Sequence, residues 1–432
     1  MDPATVGIYM VVLMFFLIGV GLYLGIVLLT IAITGFVVTI GLSGTYEFFS
    51  RAPLSVVTNY TLTCVPMFLL MGQLLAESGY SKGFYEAAIE WTGRIRGGLA
   101  IASVAACAVF ASACGSSVAT AAAVGSVAVP EMRRYGYSPA LSTGAVAAGG
   151  TIGNMIPPSL SLVLFGLISE TSIAKLLMAG LLPGICLAIV YSLTAYVWVL
   201  IKPGDAPGVY KGSWAGRLSS IGKLLPAFVL FVVVMGSIYA GVATPTESSA
   251  LGAVVAAIMG VATGRLNLAK IRKALGTTVR INCVVGLLFL GSMMFSRYLS
   301  YCGTAEEISV QVVSICSTPI LFVLVIVPLF LVLGCFLEGT AIVLLIVPLL
   351  LPTATMLGVN LVWFGVFVNL LIEIGLITPP VGLNVFVIGS VVPDVKLGII
   401  FKGCLPFVLI AMIMAFVFFM FPQIVLVLPD MI

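Results

Sequence analysis

Gly153-Asn154-Met155-Ile156-Pro157-Pro158 and Gly375-Leu376-Ile377-Thr378-Pro379-Pro380 are two versions of one segment. Each closes a longer stretch, Gly115 to Leu160 and Leu337 to Gly382. A constant shift of 222 (341 − 119) aligns Ala119/Ala341, Pro130/Pro352, Gly136/Gly358, Ile152/Ile374, Gly153/Gly375, Pro157/Pro379 and Pro158/Pro380. Downstream, Gly180/Gly403 and Pro183/Pro406 extend the match, and upstream Gly79/Gly303 does. Glycine and proline set the backbone path, so the copies share a shape more than a surface.

Working outward, the chain is 432 residues long, 61% hydrophobic and 8% charged, with a mean hydropathy of +1.27. Apolar runs of membrane-spanning length recur throughout, predicting an all-α polytopic membrane protein rather than a β-barrel. The apolar run to Ile40 is too long for a signal peptide and lacks a basic start, so the N-terminus reads as mature. There is no histidine, which excludes His-ligated metals and Ser-His or Cys-His catalysis. The nine cysteines form no CxxC pair and mostly lie in apolar runs, as small buried residues do.

The expected organisation is a first repeat over 1–201, a cytoplasmic linker over 202–223 and a second repeat over 224–432. The first repeat holds scaffold spans within 4–76, separated by a polar loop around Glu47 and Arg51. An interfacial arm (81–96), a hairpin (97–130), a broken helix (138–168) and a span (175–201) follow. The second repeat has scaffold spans within 224–296, an arm (297–311), a hairpin (312–352), a broken helix (362–392) and a span (398–422). The uncharged run Gly97–Pro130 is too long for one crossing and short for two with a loop. A re-entrant hairpin with its tip at Gly115–Ser117 fits it, because non-helical backbone at that depth must be buried in protein or line a cavity. This threading, with about ten full spans, places all but Arg51, Lys175 and Arg297 of the 19 basic residues on the cytoplasmic side. The two halves therefore enter the membrane from opposite sides, as an inverted repeat.

Inverted repeats with interrupted helices point to a secondary-transporter site at the midplane. Proline cannot donate to the carbonyl four residues back. Pro157 and Pro158 are thus expected to free the carbonyls of Gly153 and Asn154, and Pro379 and Pro380 those of Gly375 and Leu376. A dehydrated Na⁺ suits such oxygens. One predicted Na⁺ site takes Ser112, Ser116, Ser117, Gly153, Ile156 and Pro158. The other takes Gly339, Thr340, Gly375, Thr378 and Pro380. Helix N-termini at the hairpin tips would face an anionic solute between them, near Gly115, Asn154, Glu338 and Asn384. Taken singly, Ser116-Ser117 reads as a packing motif and a Pro-Pro pair as a kink; their recurrence in two inverted copies favours a site. Glu338 and Glu373 are ionisable groups at membrane depth and hence functional candidates, as cation ligand or gate and as partner of a polar neighbour. Glu247 reads as structural, at the outer interface.

Gly115-Ser-Ser-Val-Ala-Thr-Ala-Ala-Ala-Val-Gly125, Gly153-Asn-Met-Ile-Pro-Pro-Ser159, Thr244-Pro-Thr-Glu-Ser-Ser-Ala250 and Gly375-Leu-Ile-Thr-Pro-Pro-Val-Gly-Leu-Asn-Val-Phe386 resemble the large membrane subunit of tripartite ATP-independent periplasmic (TRAP) transporters along essentially the whole chain. That resemblance implies a bacterial inner-membrane permease of the ion-transporter superfamily. It implies Na⁺-driven uptake of an organic anion by an elevator mechanism, with the hairpins and broken helices moving. A periplasmic substrate-binding protein and a small four-span membrane subunit, expected as a separate chain, are the implied partners, together with the lipid bilayer and no nucleic acid. C4-dicarboxylates, sialic acids, other carboxylates and sulfonates are the cargoes the family implies. The rival readings are a self-contained Na⁺/dicarboxylate symporter of the same superfamily and an anion channel. Neither an HExxH nor a GxGD pair supports an intramembrane protease.

Overall fold

A computed structural model describes residues 3–210, 212–316 and 318–431; the N-terminal Met1 and linker Lys211 lie outside the described residues. Helices account for the architecture, and there is no strand among the described residues. The first repeat opens with α1 (Pro3–Gly19), α2 (Leu24–Ser50), α3 (Ala52–Val57) and α4 (Cys64–Glu77). It continues with α5 (Tyr80–Thr92), α6 (Gly98–Cys114), α7 (Ser117–Arg134), α8 (Pro139–Thr151), α9 (Leu160–Ser169) and α10 (Ile173–Ile201). The second opens with α11 (Trp214–Phe231), which runs through a π turn (Val232–Gly236) into α12 (Ser237–Tyr239). Then come α13 (Pro245–Ala262), α14 (Leu268–Tyr301), α15 (Thr304–Ile315), α16 (Pro319–Phe336) and α17 (Gly339–Met356). The chain closes with α18 (Leu361–Gly375), α19 (Leu383–Val391), α20 (Leu397–Met420) and α21 (Gln423–Leu426).

Each half thus presents scaffold spans, an arm, a hairpin, a broken helix and a last span, in the same order. Eight helices, or nine counting one pair bent by 69° (Thr61–Glu77 with Tyr80–Thr92), are long and apolar enough to cross a membrane among the described residues. Gly79 (φ 68°) and Gly303 (φ 71°) both adopt left-handed backbone immediately before the arms α5 and α15. Gly136 (φ 81°) and Gly358 (φ 69°) do the same just after the two hairpins. Side chains strongly disfavour that conformation, which explains glycine at matching places in both repeats.

Three boundaries differ from expectation. The polar segment around Glu47 and Arg51 is helical rather than a loop. The helix bends where Gly41 takes φ 76°, and Thr45 Oγ1 returns to the Gly41 carbonyl (2.7 Å), so polarity is absorbed without ending the helix. Arg297 belongs to α14, a 34-residue helix, and the second arm begins only at Thr304. At 1.5 Å per residue α14 is about 51 Å long, well beyond a ~30 Å hydrocarbon core. The second repeat's first helix starts at Trp214, inside the stretch expected as linker.

Candidate functional site

Both breaks carry a cis proline bond, Pro157-Pro158 and Pro379-Pro380. Each hairpin tip docks on the break of its own repeat. Leu160 N–H donates to the Gly115 carbonyl (3.5 Å), and Gly382 N–H to the Cys335 carbonyl (2.9 Å). The approach requires glycine at the first tip, because a Cβ on Gly115 would stand 2.4 Å from the Pro158 carbonyl oxygen. The second arm of each hairpin crosses over: α7 packs on α19, and α17 packs on α9. Gly125 on α7 makes room for Ile388 of α19, where a Cβ would meet its Cδ1 at 2.7 Å. The two repeats are interlocked around the site rather than set side by side.

The tips face one small chamber of about 20 Å³. It is lined by Gly115, Ser116, Ser117 and Val118 from the first hairpin, and by Glu338, Gly339 and Thr340 from the second. Asn154, Leu160, Glu373 and Leu376 complete it from the broken helices. Two helix N-termini point into it, because α7 begins at Ser117 and α17 at Gly339. Ser116 caps α7, its Oγ accepting from Ala119 N–H (3.4 Å). Glu338 caps α17, accepting from Thr340 N–H (3.1 Å) and from the Thr340 hydroxyl. A carboxylate at that position complements the positive end of the helix.

Glu373 ties the halves together. It is 1% exposed. Its carboxylate accepts the Ser117 hydroxyl (2.6 Å) and Asn154 Nδ2 (3.0 Å). Asn154 is fully engaged: Nδ2 also donates to Ser161 Oγ (2.6 Å), while Oδ1 accepts from Ser159 Oγ (3.0 Å) and Ser161 N–H (3.4 Å). Asn369 Nδ2 donates to the Asn154 carbonyl (2.8 Å). A first-repeat serine, a first-repeat asparagine and a second-repeat glutamate thus form one buried network.

For three of the four carbonyls, those of Asn154, Gly375 and Leu376, the expected release by proline needs correction. The Asn154 carbonyl is taken by Asn369; the Gly375 carbonyl accepts from Thr378 N–H (3.0 Å) and the Leu376 carbonyl from Asn384 N–H (3.1 Å). Local turns and an asparagine amide satisfy what proline cannot. Of the first Na⁺ set, Ser116 and Ser117 line the chamber. Gly153 sits beside it, where a Cβ would be 2.6 Å from Thr120 Oγ1 and 2.8 Å from the Ser116 carbonyl oxygen. Ser112 turns back to the Val109 carbonyl (2.8 Å), Ile156 packs towards Gly184 of α10, and Pro158 abuts Gly115. Of the second set, Gly339 and Thr340 line the chamber. Gly375 packs on Gly334, and Thr378 Oγ1 donates to the Ile374 carbonyl (2.6 Å) beside Pro380. Of the anion set, Gly115, Asn154 and Glu338 meet at the chamber, whereas Asn384 faces α8, donating to the Ala147 carbonyl (3.4 Å).

Sequence reasoning passed over Thr120, Ser159, Ser161 and Asn369. Thr120 Oγ1 is buried without a hydrogen-bond partner among the described residues, one turn inside the Ser116 cap. Its place four residues after the tip serine was the available signal.

A family model described as the tripartite ATP-independent periplasmic transporter, DctM component, matches residues 11–424. The chain belongs to this family. It is a multi-pass protein of the inner membrane and a transporter permease, not an enzyme. It is 36% identical over 374 residues to the C4-dicarboxylate TRAP transporter large permease protein of Pseudomonas aeruginosa, covering 86% of this chain and 87% of that one. It is 31% identical over 386 residues to the sialic acid TRAP transporter large permease protein of Vibrio cholerae, covering 89% and 90%. The fold is also similar to the crystal structure of the Alcanivorax borkumensis YdaH transporter, at a TM-score of 0.65 and 14% identity over 98% of this TRAP permease and all (100%) of that chain.

Proposed function

We propose that this TRAP permease carries out Na⁺-coupled uptake of an organic anion, a carboxylate or sulfonate, handed over by a periplasmic substrate-binding protein. A small four-span subunit braces its scaffold spans. The hairpins and the broken helices move together as an elevator against the remaining spans. The observation that carries this reading is the convergence of four interrupted elements, from two inverted halves, on one chamber lined by hydroxyls, an amide and two carboxylates. A hard cation favours such oxygens, and a volume of about 20 Å³ suits one small ion or water. The N-termini of α7 and α17 supply the positive ends that an anion needs nearby.

The deciding measurement is uptake by proteoliposomes holding the permease, its small subunit and the binding protein, with Na⁺ exchanged for K⁺. Uptake should collapse in K⁺. Ser116→Ala and Thr340→Ala should raise the Na⁺ concentration for half-maximal uptake while leaving membrane assembly intact. Uptake indifferent to Na⁺ would sink the coupling, and unchanged Na⁺ activation in both variants would sink these ligands.

A further inference from the structure

Away from the chamber, α10 and α20 leave a long groove of about 1180 Å³ between them, floored by Pro139 and Ala140 of α8. We propose that this groove seats one anionic phospholipid of the cytoplasmic leaflet.

Three features of the groove converge on that occupant. The first is length. Along α10 and its C-cap the lining runs from Val190 to Lys202, and along α20 from Ile399 to Met414. At 1.5 Å per residue, the twelve steps of the first wall make about 18 Å and the fifteen of the second about 22 Å. Half a ~30 Å hydrocarbon core is about 15 Å, so the groove matches one leaflet and one acyl chain. The second is chemistry. Between its ends the wall is apolar, with Leu409 and Ile413 among the side chains facing it, and both are exposed. The third is charge. Lys202, just past the C-terminal end of α10, and Lys402, near the N-terminal end of α20, both line the groove; both are exposed and neither is in an ion pair among the described residues. The acid of this lining, Asp205, is engaged by Trp198 Nε1 (2.7 Å), and the Lys202 ammonium lies 5.9 Å from the Trp198 ring centroid. The N-terminus of α8, whose Ser138 and Pro139 also line the groove, adds a further positive pole.

An acyl chain would lie along the apolar wall, with its phosphate between the two ammonium groups and the indole at headgroup level. A zwitterionic lipid would fill the same wall without satisfying both lysines. The inference does not rest on Na⁺ coupling or on elevator motion, and it survives if either fails.

Native mass spectrometry of the purified permease with its small subunit tests it, with phosphatidylglycerol or phosphatidylcholine added. The wild type should retain phosphatidylglycerol in preference. Lys202→Gln with Lys402→Gln should weaken that retention about thirtyfold, from the usual contribution of two surface cations, and leave phosphatidylcholine unaffected. Leu409→Trp, which fills the wall, should reduce both lipids. Equal retention of the two lipids by the wild type, or unchanged phosphatidylglycerol retention in the double variant, overturns the proposal. So does loss of the small subunit from Leu409→Trp with lipid retained, because the groove would then be that subunit's seat.

Discussion

Replacing Glu373 separates its two possible roles, as a bridge between the repeats and as a charge facing a cation. Glu373→Ala removes the acceptor of the Ser117 hydroxyl and of one Asn154 N–H, both buried. Asn154 Nδ2 keeps Ser161 Oγ (2.6 Å) and Asn369 Oδ1 (3.3 Å) as acceptors, so the Ser117 hydroxyl is the donor orphaned, and the alanine variant should lose about 1–3 kcal/mol with a cavity term added to it. Glu373→Gln keeps the shape. Its carbonyl oxygen can still accept from Asn154, and the Ser117 hydroxyl can rotate to accept from the new amide. The loss is then the difference between charge-assisted and neutral hydrogen bonds, about 1–2 kcal/mol over two contacts. Thermal unfolding in detergent, followed by size exclusion, should rank wild type above glutamine above alanine. Uptake should rank differently. If the carboxylate balances a cation in the chamber, Glu373→Gln should lose Na⁺ activation about as fully as Glu373→Ala, despite its better stability. A glutamine variant with wild-type Na⁺ activation refutes the charge role and leaves only the bridge. Equal unfolding midpoints for the two variants refute the network accounting.

The remaining predictions use other contacts. Thr120→Val removes a buried hydroxyl that has no protein partner. It should leave thermal stability unchanged or raised, yet shift Na⁺ activation to higher concentration; unchanged activation would make Thr120 a packing residue only. Ser292 of α14 donates to the Leu344 carbonyl of α17, joining scaffold to hairpin. Cysteines at 292 and 344, bridged in a background lacking the nine native cysteines, should abolish uptake reversibly, and full uptake in the bridged protein would rule out sliding at this contact. In the segment between α10 and α11, Tyr210 donates to Glu90 Oε1 (2.6 Å), and that hydrogen bond, with burial, pushes its phenol up to about 12. Because the folded value is raised, the contact's stabilisation is complete below pH ~10 and is lost as pH climbs towards about 12. An ultraviolet difference titration of wild type against Tyr210→Phe should place the transition there; a midpoint near 10 would mean that the linker is undocked.

The parts of this fold that were legible in one dimension are those written in proline and glycine. Pro157-Pro158 and Pro379-Pro380 mark breaks because a missing donor acts locally. Gly79/Gly303 and Gly136/Gly358 mark turns because positive φ selects glycine. The matching order of elements in the two halves was legible because the same glycines and prolines recur at a constant spacing. What was not legible depends on pairing across the chain. Ser117 and Glu373 are 256 positions apart, and nothing local announces that one hydroxyl completes the other's carboxylate. The crossing of α7 onto α19 and of α17 onto α9 is equally silent, since each helix carries an apolar face that would suit several neighbours. The carbonyl argument failed for a related reason. It counted the donors that proline removes, but not those supplied by Asn369, Thr378 and Asn384.

The size of the chamber constrains any transport cycle built on it. Pockets for small organic ligands run from about 300 Å³, whereas the space between the tips is about 20 Å³. The arrangement described is therefore one without room for an organic anion between Glu338, Thr340, Ser117 and Asn154. Admission requires the tips to part, and the contacts say where that is least costly. Each tip is anchored to the break of its own repeat by a backbone hydrogen bond, Leu160 to Gly115 and Gly382 to Cys335. Across the chamber, one direct hydrogen bond joins a tip to the opposite repeat among the described residues, Ser117 to Glu373. Glu338 and Thr340 bond to each other within the second tip. The seam that opens should thus run between Ser117 and Glu373 and along the face of the second tip, leaving both hairpins seated on their own breaks. A Ser117→Ala variant loosens that seam without touching the anchors. It should leave Glu373 held by Asn154 alone. In a separate variant without the native cysteines, Ser117→Cys or Thr340→Cys should react faster with a small thiol reagent when Na⁺ is removed. Reactivity that ignores Na⁺ would mean that the chamber does not open along this line.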